Sequence, residues 1–277
     1  MRRAVITAAL LLGAAVSSSA QPSSIAEVVS RARFAPQARG VTLATVPLRG
    51  EGEAFRTRLV LVTLDPTLVS LRLDTAYGTP MSAQWSIARA SAYDVIAVNV
   101  GQFISTMPWG WVVLDHHEYL APAHGPLSTA VAGFDRRTQW AHGDSAVLAL
   151  RATHPRWAFQ SYPTLLVDSR LPVQLRVEDS GVNLTHRDAR LAMGRRGDGT
   201  LLFAMTRFDA LGERAGWIPF GLTVPEMAEV MKALGATDAV LLDGGLSAQL
   251  MLKDARGKPL RWPGSRKVPL GLLGTGK

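Results

Sequence analysis

A helix signal that runs directly into a short apolar strand is the feature of this sequence that most restricts its fold. Thr223 and Glu226 have the T-x-x-E spacing of a capping box. Apolar residues follow at helical spacing and end before Gly235, which predicts a helix over about residues 224–234. Residues 239–242 are all apolar and predict a buried strand shortly after this helix.

The predicted strand ends in Asp243-Gly244-Gly245, and this arrangement suits a functional site. Glycines let a ligand approach the backbone closely, and loops at the ends of buried strands carry function on a rigid scaffold. Asp-Gly is also a common turn dipeptide, so on spacing alone a plain turn stays open as the alternative. Asp243 is therefore the first candidate for a chemically active side chain.

The rest of the chain predicts many short strands and few helices. We therefore expect an α+β domain with mixed β-sheets, covered by the helix at about 224–234. Asp65-Pro66-Thr67 separates two apolar segments and predicts a hairpin formed by residues 58–64 and 68–73.

Several further segments carry local signals. Residues 94–98 predict a strand that delivers Asn99 at its end. We also expect a helix over 82–90, a strand over 146–150, and a surface tail with only short structure over 253–277.

The N-terminus has the pattern of a secretory signal peptide. Met1-Arg2-Arg3 is a basic start, residues 4–16 are an apolar run, and Ser18-Ser19-Ala20 supplies small residues for cleavage. We predict cleavage after Ala20, a periplasmic or secreted location, and one domain over 21–277. The apolar run is too short to span a membrane and no other segment is long enough, so we expect no membrane span after cleavage.

Composition narrows the class of function. The chain has 277 residues and no cysteine, which excludes a disulfide framework and thiolate metal sites, and we expect no cofactor. The formal net charge of +8 favours anionic ligands, but no basic motif interleaved with aromatic residues supports nucleic-acid binding. Asp115-His116-His117-Glu118 suggests a metal site, yet adjacent histidines share no face of a strand or helix. A polar turn is the better interpretation, and we expect no metal.

The stretch around Asp243 resembles the phosphodiester glycosidase family. That family includes the enzyme that removes N-acetylglucosamine from a sugar-phosphate diester, and many secreted bacterial proteins. Three weaker similarities lie upstream: residues 97–103 resemble A-[IV]-N-G-G-[FY]-F, 108–110 resemble P-x-G, and 190–194 resemble R-T-A-I-G. The similarity covers about residues 40–255 and implies the same α+β fold. The matching residues of the main stretch are Gly221, Leu222, Thr223, Glu226, Met227, Ala228, Leu234, Gly235, Asp243, Gly244, Gly245 and Ser247.

The resemblance implies an exported hydrolase that cleaves a glycosidic bond in a sugar-phosphate diester or in an envelope or exopolysaccharide glycan. Such cleavage passes through an oxocarbenium-like state and usually uses two carboxyl groups, whereas a phosphate leaving group needs positive charge and N–H donors. Asp243 is expected to act as base or nucleophile, Arg190 to contact a phosphate, and Glu226 either to cap the helix or to act as the acid. The expected substrate contacts are Asn99, Gly101, Thr223, Gly244, Gly245 and Ser247.

The chain departs from the family pattern inside its motifs. Val100 and Leu246 stand in place of glycines, Gln102 in place of an aromatic residue, and Leu191 in place of threonine. These departures motivate an alternative function: a non-catalytic protein that binds an anionic glycan on the same fold.

The enzymatic interpretation makes a geometric demand. The strands that carry Asn99, Arg190 and Asp243 should be neighbours in one sheet, with those ends on the same side. Asp243 and Arg190 should then lie on the order of 4 to 8 Å apart around a cleft, and the arginine should keep Asp243 ionised. Leu191 and Leu246 should narrow this cleft.

Overall fold

The computed structural model describes residues 24–48, 52–135, 137–177, 181–209, 211, 216 and 218–277. The predicted signal peptide lies outside these residues and stays a prediction. Within them, no helix has the length and apolar character needed to cross a membrane.

The described part of the chain has three α-helices: α1 (Ile25–Ser30), α2 (Asp144–Arg151) and α3 (Val224–Ala233). The start of α3 confirms the predicted capping box. The backbone N–H of Glu226 donates to Thr223 Oγ1 at 3.3 Å, and that of Thr223 donates to Glu226 Oε2 at 2.8 Å. Gly235 has φ +80°, the left-handed conformation that the sequence predicts at the end of this helix.

Most of the remaining structure consists of short strands. In chain order they are β1 (Ala35–Pro36), β2 (Val41–Pro47), β3 (Thr57–Leu64), β4 (Val69–Asp74), β5 (Asp94–Asn99), β6 (Phe103–Ile104), β7 (Met107–Pro108), β8 (Val112–Leu114), β9 (His117–Leu120), β10 (Thr129–Gly133), β11 (Thr138–His142), β12 (Trp157–Ser161), β13 (Thr164–Leu166), β14 (Leu191–Arg195), β15 (Leu201–Phe208), β16 (Asp238–Leu241), β17 (Leu250–Lys253), β18 (Pro259–Trp262) and β19 (Gly271–Gly276).

These strands form three larger sheets and a small hairpin. The seven-stranded sheet has the order β1-β2-β3-β15-β14-β16-β13, and the two five-stranded sheets have the orders β11-β10-β12-β8-β9 and β18-β17-β5-β19-β4. The α+β class holds broadly, but every pairing between described strands is antiparallel, where the sequence suggested mixed sheets. Parallel neighbours need long crossover connections, usually helices, and this chain has few helices.

The seven-stranded sheet is buried on both faces. In β15, Leu202 and Ala204 belong to one apolar cluster together with Met227 of α3. The alternate residue Phe203 belongs to a second cluster, which includes Val98 of β5 and residues of both five-stranded sheets. Because side chains alternate between the faces of a strand, the two faces of β15 contribute to different apolar clusters, one shared with residues of α3 and the other with residues of the five-stranded sheets.

The predicted hairpin at Asp65-Pro66-Thr67 is wrong, although the turn itself forms. The backbone N–H of Leu68 donates to the Asp65 carbonyl at 3.1 Å. However, β3 pairs with β2 and β15, while β4 pairs with β19 in another sheet. The turn therefore carries the chain from one sheet to another.

Two helix and strand assignments are also corrected. Residues 82–90 contain only a 3₁₀ turn at Ile87–Arg89, and residues 146–150, predicted as a strand, lie in α2. Val147 and Leu150 are the buried residues of α2, at i, i+3 spacing. An apolar run this short fits a strand and a helix equally well.

The largest error concerns residues 253–277, which form no surface tail. They contain β18 and β19, and β19 lies in the middle of its sheet between β5 and β4. Leu272 and Leu273 are buried. Glycines made this segment look irregular, yet they are what lets it pack: a Cβ on Gly274 would lie 2.5 Å from Ile96 Cγ2.

Candidate active site

Asp243 lies where two sheets meet, just beyond the end of β16. Its backbone N–H donates to the Gly101 carbonyl at 2.9 Å, and its carbonyl accepts from Asn99 Nδ2 at 2.8 Å. On the other side, the backbone N–H of Leu242 donates to the Leu191 carbonyl at 2.8 Å. Asn99 and Asp243 are therefore neighbours as predicted, but β5 and β16 belong to different sheets, so the expectation of one shared sheet is wrong.

Asn99 is fully buried, and both polar atoms of its side chain bond within the protein. Besides the bond from Nδ2 to Asp243, Oδ1 accepts from the backbone N–H of Gln249 at 2.9 Å. Gly101, with φ +69°, offers its carbonyl to the same turn. Both residues thus hold the backbone of Asp243 in place.

A cleft of about 290 Å³ opens beside this turn. The residues that line it include Asp188, Asp243, Arg190, His186 and Gly244. The convergence of Arg190 with Asp243 agrees with the prediction of a common cleft. No hydrogen bond or ion pair joins the two side chains in the part of the chain that the structure describes.

The carboxyl group of Asp243 is poised for protonation. Burial raises its pKa from the usual 3.8 to about 6, and the nearby charge of Asp188 acts in the same direction. The Ser247 hydroxyl and the charge of Arg266 act in the opposite direction but are outweighed. Asp243 Oδ2 is buried and has no hydrogen-bond partner among the described residues. The expectation that Arg190 keeps this carboxylate ionised is therefore wrong, because desolvation dominates.

Asp188 is a cleft residue that the sequence analysis did not single out. Burial raises its pKa, although the Ala189 N–H that donates to Oδ1 at 2.8 Å and the charges of Arg190 and His186 oppose this. A signal was present: Asp188 lies two residues before Arg190, so both side chains fall on one face of an extended segment.

Gly244 and Gly245 are required for the close contact between this turn and the segment before β14. A Cβ on Gly244 would lie 2.4 Å from the Ala189 carbonyl oxygen, and one on Gly245 would lie 3.1 Å from Asp188 Oδ2. The backbone N–H of Gly245 donates to that Ala189 carbonyl at 2.6 Å and is therefore engaged within the fold. The N–H of Ser247 donates to the Gly244 carbonyl at 3.0 Å. The N–H of Gly244 has no acceptor among the described residues, so of the three backbone amides of Gly244, Gly245 and Ser247 this one is free for a ligand.

Arg190 holds the loops around the cleft together. Its Nε donates to the Leu222 carbonyl at 2.9 Å, and its Nη2 donates to the His186 carbonyl at 2.6 Å. Burial lowers its pKa, and the charge of Asp188 partly offsets this. Two of its three guanidinium nitrogens thus bind backbone carbonyls. Only one nitrogen is left for the phosphate contact that the sequence predicts for Arg190.

Thr223 and Glu226 belong to the helix cap rather than to the wall of the cleft. Arg187 binds the Glu226 carboxylate in a bidentate pair, at 2.6 Å to Oε2 and 2.8 Å to Oε1. Burial alone would raise the pKa of Glu226, but the hydrogen bonds from Arg187 and from the Thr223 N–H lower it. A carboxyl group held ionised in this way is a poor proton donor, so the structure supports capping and gives no support to Glu226 as the acid.

The departures from the family pattern lie mostly away from the cleft. Leu191 and Val100 are buried in the apolar cluster between the sheets, and Leu246 is 46% exposed and outside the cleft wall. The prediction that Leu191 and Leu246 narrow the cleft is therefore wrong. Gln102 does line the cleft, and its Nε2 donates to the Tyr162 carbonyl at 3.1 Å.

A family model described as phosphodiester glycosidase matches residues 93–273, which is more than half of the chain. No curated protein sequence matches significantly.

Three solved structures share the fold. One is a hypothetical protein from Synechocystis, with a TM-score of 0.60 and 15% identity over 89% of this chain and 64% of that chain, just under two thirds of its length. Another is the catalytic domain of zebrafish N-acetylglucosamine-1-phosphodiester alpha-N-acetylglucosaminidase, auto-inhibited by its pro-peptide, with a TM-score of 0.60 and 15% identity over 89% of this chain and 81% of that chain. A third, from Burkholderia pseudomallei and provisionally named as exported, has a TM-score of 0.50 and 15% identity over 79% of this chain and 74% of that chain.

Proposed function

Because the chain belongs to the phosphodiester glycosidase family, we propose that it is a glycosidase-type hydrolase acting on a sugar-phosphate diester or an envelope glycan. The observation that carries this proposal is the carboxyl group of Asp243. It lies in a cleft where the family motifs converge, its pKa is raised to about 6, and its Oδ2 has no partner among the described residues. Buried carboxyl groups with such pKa values in clefts are characteristic of catalytic sites.

The surrounding residues fit two tasks. Asn99 and Gly101 position the backbone of Asp243: Asn99 binds its carbonyl and Gly101 accepts from its N–H. The Ser247 hydroxyl acts on its carboxyl group. The Gly244 N–H and the remaining nitrogen of Arg190 supply donors near the reacting centre, where negative charge develops on the departing oxygen. Thr223 and Glu226 hold the start of α3, whose first residue, Val224, lines the cleft.

The test is release of free sugar by the purified mature protein from a panel of oligosaccharides, alkyl glycosides and sugar-1-phosphodiesters. We expect the wild type to act on at least one member, and Asp243→Asn to be slower by about 100-fold or more on the oligosaccharides and alkyl glycosides. Glu226→Gln is the matched control: it removes a carboxylate outside the cleft, and Gln can still close the capping box, so activity should persist.

Two outcomes would count against the proposal. No release by the wild type from any member of the panel would exclude hydrolysis of these bonds. Calorimetric binding of acidic glycans that is equal for the wild type and Asp243→Asn, without any release, would instead favour the non-catalytic binding protein.

We further propose that the protein is exported, on the strength of the N-terminal charge and apolar pattern. The mature chain is expected to begin at Gln21. Edman or mass-spectrometric sequencing of the protein recovered from the periplasm or medium checks this, and an N-terminus that still carried Met1 would contradict it.

A further inference from the structure

The cleft holds a second carboxyl group directly beside Asp243. The segment after β16 and the segment before β14 stay together beyond the strand pair itself. The Gly245 N–H donates to the Ala189 carbonyl at 2.6 Å, and a Cβ on Gly245 would lie 3.1 Å from Asp188 Oδ2. Asp188 and Asp243 line the same cleft, and the charge of Asp188 acts on the carboxyl group of Asp243, so both lie within reach of one substrate.

The two carboxyl groups have different surroundings. Asp188 accepts a hydrogen bond from the Ala189 N–H and lies near the guanidinium of Arg190 and the imidazole of His186. Asp243 has an unpartnered buried oxygen. When two neighbouring carboxyl groups cannot both ionise freely, the proton stays on the one whose oxygen is buried without a donor, which here is Asp243. Asp188 is then the ionised member of the pair.

The cleft is also poorly suited to a phosphate leaving group. The residues that line the cleft include two aspartates but only one arginine and one histidine, and the arginine uses two nitrogens to bind backbone carbonyls. The charge of Arg266 also acts on Asp243, but Arg266 does not line the cleft and its guanidinium lies 4.6 Å over the Phe103 ring. A phosphate leaves as a stable anion and needs cationic contacts, whereas a sugar alkoxide needs a proton. Tyr162, which lines the cleft and is 40% exposed, packs edge-to-face on Trp109 at 4.7 Å and offers a firm aromatic surface for a departing sugar.

Resting on the proposed function, we propose that Asp243 and Asp188 form an acid–base pair that cleaves the O-glycosidic bond between two sugars of a glycan. The proton of Asp243 moves to the glycosidic oxygen as the bond from that oxygen to the anomeric carbon breaks. Asp188 takes a proton from a water molecule, whose oxygen forms the new bond to the anomeric carbon. The two products are a free reducing sugar and the shortened glycan, and solvent returns the proton from Asp188 to Asp243.

The experiment compares two substrates of the same sugar: the oligosaccharide that the panel identifies, and a dinitrophenyl glycoside, whose leaving group needs no proton. Asp243→Asn should lose about 100-fold or more on the oligosaccharide but stay within about 10-fold of the wild type on the dinitrophenyl glycoside. Asp188→Ala should lose activity on both. Sodium azide, a nucleophile that needs no base, should restore turnover of the dinitrophenyl glycoside by Asp188→Ala and yield the glycosyl azide.

The outcomes separate this inference from the proposed function. If the wild type hydrolysed only sugar-1-phosphodiesters, the proposed hydrolase function would stand, but the inference that the substrate is a glycan would be overturned. Wild-type activity in Asp188→Ala would overturn the acid–base pair, as would equal losses on both substrates for Asp243→Asn. An Asp188→Ala protein that failed to fold would be replaced by Asp188→Asn, which keeps the side-chain volume and should show the same azide rescue.

Discussion

Replacing Gly271 by alanine is expected to destabilise the protein by about 3 kcal/mol or more. A Cβ at this position would lie 1.9 Å from Cζ2 of Trp85, which is fully buried. The indole cannot move aside cheaply, because its Nε1 donates to Asp74 Oδ2 at 2.8 Å and it packs in an apolar cluster. Gly271 also pairs with Asn99 across the sheet, so a shift of β19 would reach the residue that holds Asp243.

Gly276→Ala is the matched control at the other end of the same strand. Its nearest neighbour would be Val95 Cγ1 at 4.0 Å, an ordinary contact, so its free energy of unfolding should change little. Urea unfolding curves of the two variants and the wild type measure the difference. Equal stability of Gly271→Ala and Gly276→Ala would mean that the indole of Trp85 does not lie over this glycine.

This glycine illustrates why the C-terminal strand escaped sequence analysis. Residues 253–277 contain many glycines and prolines, which locally indicate irregular structure. In the fold, Gly271 and Gly274 make room for Trp85 and Ile96, residues that are far away in sequence. From sequence alone, a glycine that is required by a closely packed side chain cannot be distinguished from a glycine in a flexible segment, because the packed side chain is distant in sequence.

Features set by neighbours in sequence were predicted well. The cap formed by Thr223 and Glu226, the left-handed Gly235 and the strand that leads to Asp243 all depend on residues within a few positions of one another. Local hydrogen bonds and side-chain periodicity are readable from such spacing.

Features set by register between distant strands were not predicted. Asp188 joins the cleft because β14 pairs with β16 in one particular register, and Leu191 faces the core for the same reason. A slip of one residue would exchange those two faces. The order of the motifs indicated that Arg190 and Asp243 would lie close together. Which of their neighbours in sequence also line the cleft depends on the register of the strands.

The buried carboxyl group of Asp243 should make the folded protein less stable as the pH rises, and Asp243→Asn should remove this contribution to the pH dependence. In the unfolded chain its pKa is the usual 3.8, whereas in the folded protein burial raises it to about 6. The folded state therefore holds the proton more tightly. Well below pH 3.8 the group is protonated in both states and does not affect stability. As the pH rises from 3.8 towards 6, the unfolded chain ionises while the folded protein still holds the proton, so the folded protein loses stability, and the loss is complete once the pH has passed through 6.

Asp243→Asn removes this ionisation while keeping the shape of the side chain. The difference between the two pKa values corresponds to at most about 3 kcal/mol, so the variant should be more stable than the wild type by up to that amount at pH 8, and the gain should vanish near pH 4. Glu226→Gln is the contrasting control, because hydrogen bonds from Arg187 lower the pKa of Glu226. That variant should be less stable than the wild type at neutral pH, and its deficit should shrink as the pH falls. Urea unfolding at a series of pH values tests both, and a gain for Asp243→Asn that did not change with pH would show that its carboxyl group is not desolvated in the folded protein.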